Sequence, residues 1–140
     1  TGIVYTLTVR DAEQVATWLN DNGIEAAAYH GAVKGDQDHD TNAARLRLES
    51  MLLNNEVKAL VATSALGMGY DKPDLGFVVH YQAPNSIITY YQQVGRAGRG
   101  INYALGVLLA GSEDDKIQAW FRRSAFPDQH DVESILEALD

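Results

Sequence analysis

The sequence predicts an α/β protein with a mainly parallel sheet and helices on both faces. Three observations predict it. Short β-rich apolar runs alternate with helical stretches five times along the 140 residues. The middle run, Ala59-Leu60-Val61-Ala62-Thr63, is apolar throughout, as in a strand covered on both sides. Hydrophobic residues make up 46% of the chain and charged residues 21%, which are globular values with room for a full core.

Residues 2–7, Gly-Ile-Val-Tyr-Thr-Leu, read as a buried strand. Thr8 or Asp11 is placed to cap the helix that follows, because a short oxygen side chain bonds the free amides of the first turn. Val15, Trp18 and Leu19 repeat at helical spacing, Trp18 reads as packing, and Asn22-Gly23 stops the helix. Ala26 to Tyr29 is a second strand, turned by His30-Gly31. Residues 33–40 form a polar loop. Its Asp36, Asp38, His39 and Asp40 are of metal-ligand type, but the spacing matches no EF-hand and the run reads as solvated. Leu46, Leu48, Met51 and Leu52 mark an amphipathic helix from about Asn42 to Asn54. After the third strand, Ser64 to Pro73 is a glycine-bearing loop. Phe77 to Tyr81 is the fourth strand, and Asn85 or Ser86 caps a helix running towards Val94 in which Tyr90 and Tyr91 read as core or near-core. Tyr103 to Leu109 is the fifth strand. Glu113 to Arg123 is a helix with acids early and bases late, suited to the helix dipole, and Val132 to Leu139 gives a last short one.

The most specific stretch is Tyr90-Tyr91-Gln92-Gln93-Val94-Gly95-Arg96-Ala97-Gly98-Arg99-Gly100. Glycines let a backbone turn tightly and approach a ligand, and arginine offers a planar fork of donors suited to phosphate oxygens. In parallel α/β sheets ligands gather at the carboxyl ends of strands, and the glycine–arginine stretch is expected to reach that region.

Composition excludes several classes. With no cysteine there are no disulfides, no thiol catalysis and no Cys-type zinc site, and this fits a reducing cytoplasm. No apolar run approaches a membrane span. The net charge of −8 argues against an autonomous nucleic-acid binder, but the sign is uneven. Residues 1–111 hold 11 acids and 8 bases, whereas residues 112–140 hold 8 acids and 3 bases. The expected organisation is one α/β domain over 1–111 and an acidic helical extension over 112–140. The strand-first start reads as a piece of something longer.

Four blocks, in order, resemble the second RecA-like lobe (the P-loop NTPase-type fold) of superfamily 2 helicases, and among them the RecQ family. Gly2-Ile3-Val4-Tyr5 with Val15 to Leu19 resembles the opening strand and helix. Ala26-Ala27-Ala28-Tyr29-His30-Gly31 resembles the A-A-Y-H-A-G block. Leu60 to Thr63 through Gly67-Met68-Gly69-Tyr70-Asp71-Lys72-Pro73 and on to Tyr81 resembles motif V. Tyr90-Tyr91-Gln92 with Gly95-Arg96-Ala97-Gly98-Arg99 resembles motif VI in its RecQ form.

The resemblance implies roles for particular residues. Arg99 resembles the arginine finger that reaches the γ-phosphate of ATP, and Arg96 its companion. Gln92, Gly95, Asp71 and Gly69 fall on the nucleotide cleft. Thr63, Gly67, Thr6, Thr8 and Arg10 fall on positions that hold the nucleic-acid backbone. RecQ relatives usually carry Asn where Asp71 stands, and place arginine directly after the first strand, where this chain has Val9 before Arg10. The chain has neither a G-x-x-x-x-G-K-[ST] phosphate loop nor an Asp-Glu-x-His box. The implied protein is an ATP-dependent DNA helicase translocating 3′ to 5′. ATP and Mg²⁺ would be held mainly by an N-terminal RecA-like lobe of the same protein, and DNA at a single-strand/duplex junction would be the partner. No metal ligand and no membrane are expected in this piece, and the expected location is cytoplasmic, nucleoid-associated in a bacterium. Two alternatives stay open: a DEAD-box RNA helicase or double-strand translocase lobe, and a non-catalytic α/β binding module.

Overall fold

A computed structural model describes residues 1–31, 41–67 and 70–124. The elements run β1 (Gly2–Tyr5), α1 (Val9–Asp21), β2 (Ala26–Tyr29), α2 (Thr41–Leu53), β3 (Ala59–Ala62), β4 (Phe77–His80), α3 (Ile87–Val94), β5 (Leu105–Leu108) and α4 (Asp114–Ser124). The chain divides into two units, Thr1–Ala110 and Gly111–Asp140. The sheet lies in the first unit, in the order β2-β3-β1-β4-β5, and every pairing is parallel. Tyr5 is level with Ala62 and His80, Tyr29 with Ala62, and Leu108 with His80, so all carboxyl ends share one margin.

Alternation along the strands builds two cores. Ile3, Tyr5, Leu60, Ala62 and Val78 face one side, with Tyr29, Leu52 of α2, and Leu66 and Leu75 of the loop before β4. Val4, Ala59 and Val61 face the other, where Ala12 and Ala16 of α1 close over them. The central strands β1 and β3 are buried at every position, which explains their unbroken apolar character.

Helix α1 starts as the sequence indicates. Thr8 Oγ1 donates to Asp11 Oδ2 at 2.6 Å and accepts from the Asp11 amide at 3.1 Å, a reciprocal cap. Its buried stripe is Ala12, Val15, Ala16 and Leu19, spaced i, i+3, i+4, i+7. Trp18 lies off that stripe and is 61% exposed, so the expectation that it packs is corrected. Small alanines, not the tryptophan, make the helix–sheet contact. On α2, Leu52 is buried and Leu48 and Met51 pack beside it, while Leu46 is exposed. Residues two apart on a helix point in nearly opposite directions, so Leu46 and Leu48 cannot share a face.

Strand β5 is shorter than the predicted run. It occupies the sheet edge and is exposed at all four positions. In the second unit, α4 carries Asp114 and Asp115 in its first turn, which suits the helix dipole. The helix expected over Val132 to Leu139, and the loop holding Asp36, Asp38, His39 and Asp40, lie outside the described residues. Among the described residues no helix is long and apolar enough to cross a membrane.

Candidate functional site

Helix α3 carries the glycine–arginine stretch at its end. Ser86 caps it, its hydroxyl accepting the Thr89 amide at 3.1 Å. Beyond Val94 the chain turns back on the loop of residues 67–75. The Gly98 amide donates to Leu75 O at 2.9 Å, and the Gly100 amide to Pro73 O at 2.6 Å. Gly98 has φ +77°, a left-handed conformation that glycine adopts without strain. A Cβ on Gly100 would lie 2.8 Å from Pro73 Cβ, so only glycine allows that approach.

The two arginines of this turn have opposite surroundings. Arg96 is buried. Its Nη1 donates to Tyr70 O and its Nη2 to Gly67 O, both at 2.8 Å, while Nε has no partner among the described residues. Arg99 is about half exposed. Its Nε donates to Gly95 O at 3.0 Å and its Nη1 to Asp71 Oδ1 at 3.1 Å. Lys72 fixes the same loop from beneath, its buried ammonium on Asp74 at 2.8 Å and on Leu53 O at 3.4 Å. Asp71, Gly95 and Arg99 therefore come together, as do Gly67 and Arg96. Gly69 lies outside the described residues.

The stretch spans the sheet from one margin to the other. Tyr90 and Gln93 meet His80 at the carboxyl end of β4, while Gly98 and Gly100 lie at the amino-terminal margin. Helix α3 leaves the carboxyl end of β4 and returns along the sheet, so the turn meets residues 73–75, just before β4. The Leu105 amide then joins Gly76 O at 2.9 Å as β5 begins. A parallel crossover must bring the chain back to the amino-terminal margin, and the turn sits on that return path.

The residues matched to nucleic-acid contacts lie where the strands end. Thr6 and Thr63 are buried. The Thr6 hydroxyl donates to Thr8 O at 3.2 Å, and the Thr63 hydroxyl accepts from the Ala65 amide at 3.4 Å. Thr8 is engaged in its cap, while Arg10 and Gly67 are exposed. Gln82, which the sequence did not single out, straps this region together. It accepts from the Leu7 amide at 2.8 Å and donates to Asp11 at 2.9 Å across 75 and 71 residues of chain, a separation no local pattern reports.

Gln92 and Tyr91 are exposed, the latter at 78%, so the reading of Tyr91 as near-core is corrected. The glutamine that reaches the sheet is Gln93. Its Oε1 lies 2.9 Å from Nε2 of His80, which is buried between Tyr5 and Tyr90. Burial holds the His80 imidazole below its usual pKa, a shift that the Gln93 bond opposes. Burial pushes the Tyr5 phenol up to about 12 against the opposing charge of Arg96, so both rings are neutral at pH 7. His30 is also buried, with Nε2 3.4 Å from Glu13. Among the described residues no group of three or more His, Cys, Asp or Glu is placed to hold a metal.

The turn thus carries one buried arginine tied to the preceding loop and one exposed arginine beside it. The model of the helicase conserved C-terminal domain matches residues 1–100. The chain belongs to that family. This helicase C-terminal domain is 39% identical over 117 residues to the ATP-dependent DNA helicase RecQ of Bacillus subtilis, covering 84% of this chain and 19% of that protein. It is 33% identical over 140 residues to the ATP-dependent helicase SGS1 of Saccharomyces cerevisiae, covering 99% of this chain and 9% of that protein. The chain thus spans a fifth or less of these relatives. Among solved structures it resembles the DEAD-box protein SrmB of E. coli, with a TM-score of 0.70 and 25% identity, covering 83% of this chain and 64% of that one. Those neighbours share the RecA-like lobe expected from the sequence.

Proposed function

We propose that this domain is the second motor lobe of an ATP-dependent, RecQ-like DNA helicase. In this reading Arg99 is the arginine finger. It exchanges Asp71 for the γ-phosphate of an ATP held, with Mg²⁺, mainly on an N-terminal RecA-like lobe of the same protein. The residues fit such a group: Arg99 offers an exposed planar fork beside Gly95. ATP would supply the phosphoryl group and the driving force, and the chain's own part is to place a positive charge where negative charge develops. Arg96 acts as its companion by holding the carbonyls of Gly67 and Tyr70. Thr6, Thr8, Arg10, Thr63 and Gly67 line the path of a DNA backbone, and contacts of that kind carry no base information, which suits a motor that works on any sequence. The direction is 3′ to 5′, the substrate a single-strand/duplex junction, and the location the cytoplasm, at the nucleoid in a bacterium. Residues 112–140 form a separate acidic extension.

The observation that most supports this reading is the exposed Arg99 on a turn bonded at Gly98 and Gly100 to the loop carrying Asp71. The test is DNA-stimulated ATP hydrolysis by the full-length protein, wild type beside Arg99→Ala, with nucleotide binding measured in both. A loss of about a hundredfold or more with binding retained supports the finger. A retained rate removes Arg99 from the role. A second reading, an RNA-directed motor, draws on Asp71 and on 37% identity over 97 residues to a putative ATP-dependent RNA helicase of Acanthamoeba polyphaga mimivirus. Stimulation by RNA in preference to DNA would favour it.

A further inference from the structure

Helix α3 is weakly anchored for an element that carries an arginine motif. It has eight residues, too few to be stable alone, and none of them is buried. Its apolar side chains Ile87, Ile88 and Tyr91 are 82%, 67% and 78% exposed. Val94 sits close over β5, where a Cβ on Gly106 would lie 2.7 Å from Val94 Cγ2. A further hold on the sheet passes through His80.

His80 is 1% exposed at the carboxyl end of β4. Its ring stacks on Tyr5 of β1 at 5.4 Å and 21°, and meets Tyr90 of α3 at 4.9 Å and 46°. Its Nε2 is 2.9 Å from Gln93 Oε1. An amide oxygen only accepts, so Nε2 carries the proton, and Nδ1 is buried with no partner among the described residues. Tyr90 and Gln93 are three residues apart and lie on one face of α3. One ring therefore touches that face twice, once by packing and once by a directional bond. Packing alone leaves a short helix free to roll about its axis, and the bond removes that freedom. Two residues beyond Gln93 is Gly95, whose carbonyl holds Arg99 Nε.

We infer that His80 is a positioning residue for the arginine motif: through Gln93 and Tyr90 it sets the roll of α3 and so the placement of Arg99. The inference rests on the finger reading of Arg99. It separates Gln93, which faces the sheet, from the exposed Gln92 beside it. It also assigns work to a histidine that touches no substrate.

The experiment uses the full-length protein with saturating single-stranded DNA. It compares wild type, His80→Ala, His80→Gln, Gln93→Leu, the double variant His80→Ala/Gln93→Leu, and Arg99→Ala, with thermal midpoints for each. His80→Ala and Gln93→Leu are each expected to lower kcat about tenfold while KM for ATP moves less than about threefold. The double variant is expected to be no slower than the slower single, because both remove one interaction. His80→Gln, whose amide N–H can still donate to Gln93, is expected to recover kcat to within about threefold of wild type. A purely structural role would lower the thermal midpoint without changing kcat well below it. Gln93 is only half-buried, so Gln93→Leu keeps the test available if His80→Ala does not fold. Unchanged kcat in folded variants, multiplying losses in the double, or no recovery in His80→Gln would each overturn the inference. If Arg99→Ala keeps its rate, the finger reading and this inference fall together. If Arg99→Ala is slow but the His80 and Gln93 variants are not, this inference alone falls.

Discussion

Arg99 Nη1 lies 3.1 Å from Asp71 Oδ1, and both side chains are more than half exposed. An exposed ion pair of this kind contributes about 0–1 kcal/mol, so it directs the guanidinium without locking it. Asp71→Asn keeps an acceptor for Arg99 and is expected to move the thermal midpoint by no more than about 2 °C. ATP turnover in the full-length protein should stay within about threefold of wild type. A large fall in either would mean that the carboxylate does more than orient the arginine.

Arg96 should behave in the opposite way. Its buried fork satisfies two loop carbonyls at 2.8 Å, and hydrogen bonds from a charged donor contribute about 1.5–3 kcal/mol each. Arg96→Met is expected to destabilise the domain by about 2–4 kcal/mol in urea unfolding. Arg96→Lys should recover only part of this, because an ammonium cannot span both carbonyls as a planar fork does.

Gly98→Ala should cost about 1–2 kcal/mol from its φ of +77°, with a further penalty because the new methyl would lie 3.1 Å from Ala104 Cβ. Circular-dichroism melts of Gly98→Ala beside wild type will measure it. Equal midpoints would argue against the turn geometry.

Burial places the folded-state pKa of His80 below its unfolded value near 6.5. Below about pH 6.5 the unfolded chain therefore binds the proton first. Stability from this group is present above that pH and is lost as pH falls through it towards the folded pKa. The thermal midpoint is expected to drop between pH 7.5 and pH 5.5. In His80→Gln, which cannot titrate, the drop should be smaller, and an identical drop would assign it to other groups.

Tyr5 gives the complementary case at high pH. Its folded pKa is raised to about 12, so the stability it contributes is present below pH 10 and lost between about 10 and 12. Tyr5→Phe, which also removes a buried hydroxyl that has no partner among the described residues, should flatten the alkaline limb of a pH-melt series.

What the sequence determined by itself was the local chemistry and the order of elements. The unbroken apolar run at residues 59–62 read as an inner strand, and it pairs on both sides, with β1 and β2. The caps were legible to within two candidates each, Thr8 or Asp11 and Asn85 or Ser86, because the partners of the true caps are three residues away. Four blocks in order, the last of them ending in Gly95-Arg96-Ala97-Gly98-Arg99, carried the resemblance to the family. That pattern treats its two arginines alike. Only the tertiary structure buried Arg96 and left Arg99 outside, because the carbonyls of Gly67 and Tyr70 lie 29 and 26 residues upstream. The same holds for Trp18, Leu46 and Tyr91, whose apolar side chains suggested packing although they are 61%, 57% and 78% exposed. It holds also for Gln93, chosen over Gln92 by a ring on β4. Periodicity fixes which residues share a face of one element. Which face meets another element is decided by contacts far apart in the chain, and those form only when the sheet assembles.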